Sequence, residues 1–253
     1  EGYHGLGIDV NPLSAFIANV KMQQYTQEEL KLCRKSLNQL PVLSSSDTLR
    51  YDDIKKYFTT SNFEDLSAIK EFIDRIENPS VKSIMMTAFL CIIESCSNRR
   101  RDGNGLKTVI TKISDVKTAF IKKTIEILDD LETTSCKLIG EGKCIADSAS
   151  NLFTIFNQHI ESENRKIGAI IFSPPYPNSF DYFESYKLEL VFGDFASSIK
   201  GINDYRKQAV RSFISVKEQI ESDKYINLIA EEIEKAIPEK EAEAFLEPEI
   251  EKK

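Results

Sequence analysis

An apolar run that stops at two prolines constrains this chain more than any other feature. Residues 167–172 (Ile-Gly-Ala-Ile-Ile-Phe) lead directly into Ser173, Pro174, Pro175 and Tyr176. The run is short, rich in β-branched residues and bounded by charge on one side and proline on the other. It therefore reads as a buried strand. Each proline fixes φ and lacks an N–H, so the strand cannot continue and the loop after it is stiff. In an open α/β sheet, the loop at a strand's carboxyl end is where a ligand sits. The Ser173 hydroxyl and unpaired carbonyls, beside the Tyr176 ring, offer neutral acceptors under a flat stacking surface. Such a site suits an amino group on an aromatic ring. The plain alternative is a polyproline turn that only ends a strand.

The rest of the chain is read around this run. Residues 5–9 form a short predicted strand ending in Asp9, with Asn11 and Pro12 in the turn and a helix over 13–21. Sheet character returns at 143–147, which ends in Asp147. Between them, residues 26–134 read almost wholly helical, with capping boxes at Thr26/Glu29 and Ser61/Glu64. Residues 80–97 are apolar nearly all round and belong in the middle of a bundle, while 113–131 repeat apolar residues at helical spacing. Further helices are predicted over 150–161, 182–192, 204–221 and 222–237, with Pro238 stopping the last. The expected architecture is α/β. Residues 1–25 and 137–220 build a partial Rossmann-like sheet, 26–136 form a large inserted helical lobe, and 221–253 are a C-terminal helix and acidic tail.

A net charge of −7 argues at first against a nucleic-acid partner. Residues 228–253, however, hold nine glutamates and four lysines, which accounts for five of the seven net negative charges. The remainder is near balance, so the sign of the total does not exclude DNA. With 253 residues and 41% hydrophobic content, the chain can bury one substantial core. No apolar run approaches membrane-spanning length, and the first residues lack the pattern of a secretion signal. Five cysteines without a CxxC pair, and only two histidines, point away from a metal site. They indicate reduced thiols in a cytoplasmic protein.

The strand ends nominate the remaining candidates. Asp9 can accept both hydroxyls of a ribose and Asp147 an adenine amino group, but either is equally a helix N-cap or a turn aspartate. Arg99, Arg100 and Arg101 read as phosphate contacts or as a positively charged cap on a buried helix. Arg206 and Arg211 form a second basic patch after the proline loop. Asp181 and Tyr182 either support the pocket or cap the next helix.

Residues 7–13 (Gly-Ile-Asp-Val-Asn-Pro-Leu), 95–101 (Ser-Cys-Ser-Asn-Arg-Arg-Arg) and 173–176, with Asn178, Asp181, Tyr182 and 187–190 (Lys-Leu-Glu-Leu), together resemble the amino-methyltransferases of DNA. The resemblance is closest to the branch with a helical lobe inserted between the cofactor half and the catalytic loop, and it spans roughly residues 5–215. It implies a site-specific enzyme of a restriction–modification system with S-adenosylmethionine as cofactor and double-stranded DNA with a flipped base as partner. Ser173, Pro174, Pro175 and Tyr176 would be the catalytic loop. Asp9, Asn11 and Asp147 would hold the cofactor. Asn178, Asp181, Tyr182 and the arginines would face DNA. Serine at position 173 leans the target towards cytosine N4. Adenine N6, an RNA base, and a catalytically silent nucleic-acid-binding subunit stand as alternatives. The family's glycine-rich cofactor loop would lie before Gly5. The expectation is an N-terminally truncated chain whose missing strand comes from an upstream segment or a partner chain.

Overall fold

The computed structural model describes residues 3–40, 49–103, 105–109, 113–133, 140–161, 166–173 and 181–209. Strand β1 (Gly5–Asp9) runs into helix α1 (Pro12–Met22) through Asn11, whose side chain accepts from Leu13 N at 3.0 Å. Pro12 at the first helical position costs nothing there, because that N–H would be orphaned anyway. Helix α2 (Gln27–Leu37) starts at the expected capping box. The Thr26 hydroxyl takes the Glu29 N–H, and Glu29 takes the Thr26 N–H at 2.7 Å. Helices α3 (Asp52–Lys55), α4 (Thr60–Asp74) and α5 (Pro79–Cys96) follow. The second expected box is displaced. Thr59 caps α4 by accepting from Asn62 N at 3.2 Å, which leaves Ser61 inside the helix.

Helix α5 is the predicted all-apolar helix. Contrary to the expectation that no apolar run approaches membrane-spanning length, it is long and apolar enough to cross a membrane, but it lies in the core, with Val81, Ile84, Met85, Ala88, Phe89 and Ile93 all at 0% exposure.

The expectation that residues 26–134 are almost wholly helical is corrected at one place. Strands β2 (Arg99–Asp102) and β3 (Gly105–Thr108) form an antiparallel hairpin there. Asp102 pairs with Gly105, and Gly103, first in the turn between them, takes a positive φ of 53° that glycine adopts without strain. Helix α6 (Val116–Thr133) then packs on α5 and returns the chain to strand β4 (Gly142–Ala146), which is followed by α7 (Leu152–Phe156).

β4 lies parallel to β1, with Gly5 opposite Gly142 and Asp9 opposite Ala146. A Cβ on Gly142 would stand 2.1 Å from Met22 Sδ, so a larger residue there would require the Met22 side chain to shift. The side-chain amide of Asn19 in α1 brackets Cys144 of β4. It donates to the carbonyl at 2.8 Å and accepts from the N–H at 2.7 Å. That occupies the strand's backbone from a second side, as sheet edges require. Among the described residues, no strand pairs with β1 other than β4.

The last described helices are α8 (Tyr182–Ser185), α9 (Lys187–Phe192) and α10 (Ile202–Gln208). Their apolar residues join the same core as the helical segment. Phe192 touches the rings of Tyr51, Phe58, Phe63 and Phe89 at 4.7–5.8 Å between centroids. Just beyond α9, Asp194 adopts a left-handed φ of 58°, unfavourable for a residue with a Cβ. Its carboxylate is held by the buried Lys70 ammonium at 2.5 Å, by Arg50 at 2.8 Å and by the Tyr51 hydroxyl at 3.2 Å. Lys70 also grips Asp74 at 2.6 Å, so the turn is fastened to α4.

The buried strand expected at 167–172 is not formed. These residues have no strand pairing, and Ile170, Ile171 and Phe172 are 71%, 97% and 77% exposed. Sequence preference states how a segment behaves once covered. A ladder needs a neighbouring backbone, and none among the described residues is paired to this run.

Candidate active site

The parallel pairing of β1 and β4 sets their carboxyl ends side by side. Asp147 donates its N–H to the Asp9 carbonyl at 3.1 Å, so two acidic residues sit on adjacent strand tips. In each, one oxygen is fixed by backbone geometry. Asp9 Oδ1 accepts from Asn11 N at 2.8 Å, while Asp147 Oδ1 accepts from Ser148 N at 2.6 Å and from Asn151 Nδ2 at 2.7 Å. Both are thus turn aspartates, as the alternative reading allowed. Among the described residues, the second oxygen of each has no hydrogen-bond partner. A pair of anchored carboxylates with one oriented lone-pair face each suits donors such as sugar hydroxyls and an aromatic amine. Asn11 is buried, and its side-chain oxygen is spent on capping α1.

Ser173 is exposed at the end of the apolar run and makes an interaction of its own. Pro174, Pro175, Tyr176 and Asn178 lie outside the described residues, as do Arg211 and the predicted helices beyond residue 209. The far end of the loop is described. Asp181 caps α8 by accepting from Glu184 N at 3.1 Å, and its other oxygen accepts from Arg206 Nε at 2.9 Å. Tyr182 is half exposed.

Helix α10 brings the two halves together, a link that sequence reading missed. Near one end its Arg206 clamps Asp181 and Glu184, which begin α8. Two residues further on, at that same C-terminal end, the Gln208 carbonyl accepts from Ser148 Oγ at 2.7 Å, one residue beyond Asp147. The strand tip and the exit of the proline loop are therefore tied to one short helix. Ser148 is buried, but nothing in its sequence context distinguishes it from an ordinary turn serine.

The arginine run divides. Arg100 donates to the Glu94 carbonyl at 2.6 Å and to the Ser97 carbonyl at 3.1 Å, closing the end of α5. A guanidinium there also meets the negative end of the helix dipole. Arg101 pairs with Glu94 and with the buried Glu189 of α9, stacks over the Tyr186 ring at 4.3 Å and donates to the Ser185 carbonyl at 3.3 Å. Burial pushes Glu189 up to about 7 while Arg101 opposes the shift. Arg100, Arg101 and Arg206 each therefore have acceptors within the protein itself, Arg100 in the helix-capping role that the alternative reading allowed. A guanidinium beside unpaired carbonyls or carboxylates binds those first. Arg99 has no carboxylate within ion-pair distance among the described residues and lies over the Tyr57 ring at 5.0 Å.

Burial pushes the thiol of Cys33 up to about 12 and that of Cys96 to about 11, so neither is a thiolate at neutral pH.

No protein-family model matches the chain, and no solved structure is significantly similar to it. Three curated relatives are. The Type II methyltransferase M.AvaI of Nostoc sp. and that of Anabaena variabilis are each 30% identical over 210 residues, covering 75% of this chain and 43% of theirs. The Type II methyltransferase M.BsoBI of Geobacillus stearothermophilus is 23% identical over 224 residues, covering 76% of this chain and 43% of its own. The chain spans less than half the length of these relatives, and across three quarters of its own length it is similar to Type II methyltransferases.

Proposed function

We propose that this chain is part of a site-specific DNA methyltransferase of a restriction–modification system. In this reading the enzyme methylates the exocyclic amine of a base rotated out of the duplex, cytosine N4 in the first place. The observation that carries the proposal is the similarity to Type II methyltransferases along a chain that also contains Ser173-Pro174-Pro175-Tyr176.

An exocyclic base amine is a poor nucleophile because its lone pair is delocalised into the ring. Ser173 Oγ and the Pro174 carbonyl accept its two N–H groups, favour a pyramidal nitrogen and stabilise the positive charge that grows on it. Pro175 keeps the loop from folding back, and the Tyr176 ring stacks on the extruded base. Asn178, Asp181 and Tyr182 flank that base, while Arg99 and Arg211 meet phosphate. S-adenosylmethionine supplies the methyl group as a sulfonium electrophile. Asp9 and Asp147 take its ribose hydroxyls and adenine amine, and Asn11 holds the turn that presents Asp9. Alignment for in-line displacement contributes much of the remaining acceleration. No thiol nucleophile is needed, which agrees with the protonated Cys33 and Cys96. The side of β1 away from β4 and the uncovered run 167–172 invite one further strand between them, from an adjoining segment or a partner chain.

Transfer of a labelled methyl group to duplex DNA by the full-length protein tests the reading. Analysis of the digested product distinguishes N4-methylcytosine from N6-methyladenine, and a transcript RNA arm tests the RNA alternative. Ser173→Ala and Tyr176→Ala should each lower turnover by roughly 10²-fold or more, with cofactor affinity little changed. Full turnover in both variants would remove the assigned roles.

A further inference from the structure

Helix α3 and the start of β2 place positive charge where the protein itself supplies little to balance it. The side chains of Lys56, Arg99 and Lys187 surround a single ring, that of Tyr57, at 5.2, 5.0 and 5.1 Å from its centroid. All three charges therefore lie within about a Debye length of one another, where like charges repel. Lys55 adds a fourth, lying over the Phe63 ring at 5.9 Å, and Phe63 neighbours Phe58 at 6.3 Å. Lys187 is answered by Glu184. Among the described residues, Lys55, Lys56 and Arg99 have no carboxylate within 4 Å.

Two of the acidic groups nearby are engaged elsewhere, and a third makes no ion pair with the patch among the described residues. Glu94 is taken by Arg101 and Asp53 accepts from Ile199 N at 3.3 Å, while Asp52, one turn before Lys55 and Lys56 on the same helix face, has no ion pair with either within 4 Å among the described residues. The cations are not placed at random. Asn98 N donates to the Tyr57 carbonyl at 2.9 Å, which joins α3 to the strand carrying Arg99. The aromatic faces of Tyr57 and Phe63 hold the charged ends by cation–π attraction, which orients them without neutralising them. Arg99 Nε and Asn98 Oδ1 are both shielded and unpartnered among the described residues, so the junction is under-satisfied as it stands. Lys55 and Lys56 are exposed. The patch adjoins Lys187, the first residue of α9, in the helical pair that follows the proline loop.

We propose that Lys55, Lys56 and Arg99 form a docking patch for the phosphodiester backbone of duplex DNA, positioned beside the helices that leave the catalytic loop. The proposal rests on the methyltransferase reading for the choice of DNA as polyanion. The placement of the cations does not depend on it. Phosphates relieve the mutual repulsion of the three cations, with no base contact implied.

The test is fluorescence anisotropy of this chain with a labelled duplex of random sequence, titrated across a range of salt. The K55Q/K56Q/R99Q variant should bind at least tenfold more weakly at low salt. Its plot of log affinity against log salt should be shallower by about 2–3, since each phosphate contact contributes about 0.9. K55Q/K56Q, which spares the half-buried arginine, should show about two thirds of that change. The equally neutralising K31Q/K35Q/K122Q, on exposed positions of α2 and α6, should leave the slope alone. An unchanged slope in both patch variants, an equal change in the control, or no binding of duplex by the native chain each overturns the proposal. So does a larger slope change with an RNA hairpin than with duplex DNA. A native protein that methylates DNA while the patch variants keep the native slope would sink the patch and leave the enzyme reading intact. One that binds through the patch yet transfers no methyl group would do the reverse.

Discussion

Phe172 and Phe192 are twenty residues apart in the same chain and meet opposite fates. Phe192 is fully buried among four aromatic rings contributed by Tyr51, Phe58, Phe63 and Phe89. Phe172, at the end of an equally apolar run, is 77% exposed. The helical segment brings its own cover, because α4, α5 and α9 each bury an apolar face against the others. The run before the prolines depends on a neighbouring backbone that the described residues do not supply. Hydrophobicity therefore marks both segments as interior, but among the described residues only one is provided with an interior.

The largest expected effect breaks the packed side of the comparison. Phe192→Ala removes the ring at the centre of the aromatic group and should cost about 3–5 kcal/mol in urea denaturation. A loss below about 1 kcal/mol would show that the core collapses around the gap, and so is not tightly packed.

An intermediate effect comes from the buried carboxyl on the same helix. The folded-state value of Glu189 is raised from 4.5 to about 7. The folded protein therefore keeps that proton after the unfolded chain has lost its own. The stabilisation is complete below the unfolded value and is lost as pH rises through the folded one. Relative to Glu189→Gln, the native chain should lose stability between about pH 4.5 and 7, measured as a falling urea midpoint, and then run parallel. Parallel curves throughout would mean that Arg101 holds Glu189 ionised across the range.

The smallest effect sharpens the uncovered side. Ile171→Ala should change the stability of this chain by less than about 0.5 kcal/mol, because the side chain is 97% exposed. In the full-length protein the same change should cost about 1.5–3 kcal/mol if a strand covers the run. Equal effects in both would remove the proposed strand partner.

Some of this was legible from residues alone. Asn11-Pro12 announces α1, Thr26 with Glu29 announces α2, and the unbroken apolar girth of α5 announces its place in the core. These signals are local, since a cap or a buried face is written within a few residues. The turn between β2 and β3 was also written, in the run Asp102-Gly103-Asn104-Gly105, but the helical character on either side masked the two strands that it joins. The arginines were illegible for a different reason. A guanidinium takes whichever acceptor lies nearest, and for Arg101 that acceptor is Glu189, 88 positions along the chain.

By itself the sequence determined the elements whose causes are local: where helices begin and which face is apolar. Only the tertiary structure decided which charges are consumed internally, that Asp9 and Asp147 share one edge, and that α10 ties the strand tip to the loop exit. The reason is physical. Capping and periodicity act over a few residues, whereas ion pairing, burial and strand adjacency are set by distance in space, which chain order does not encode.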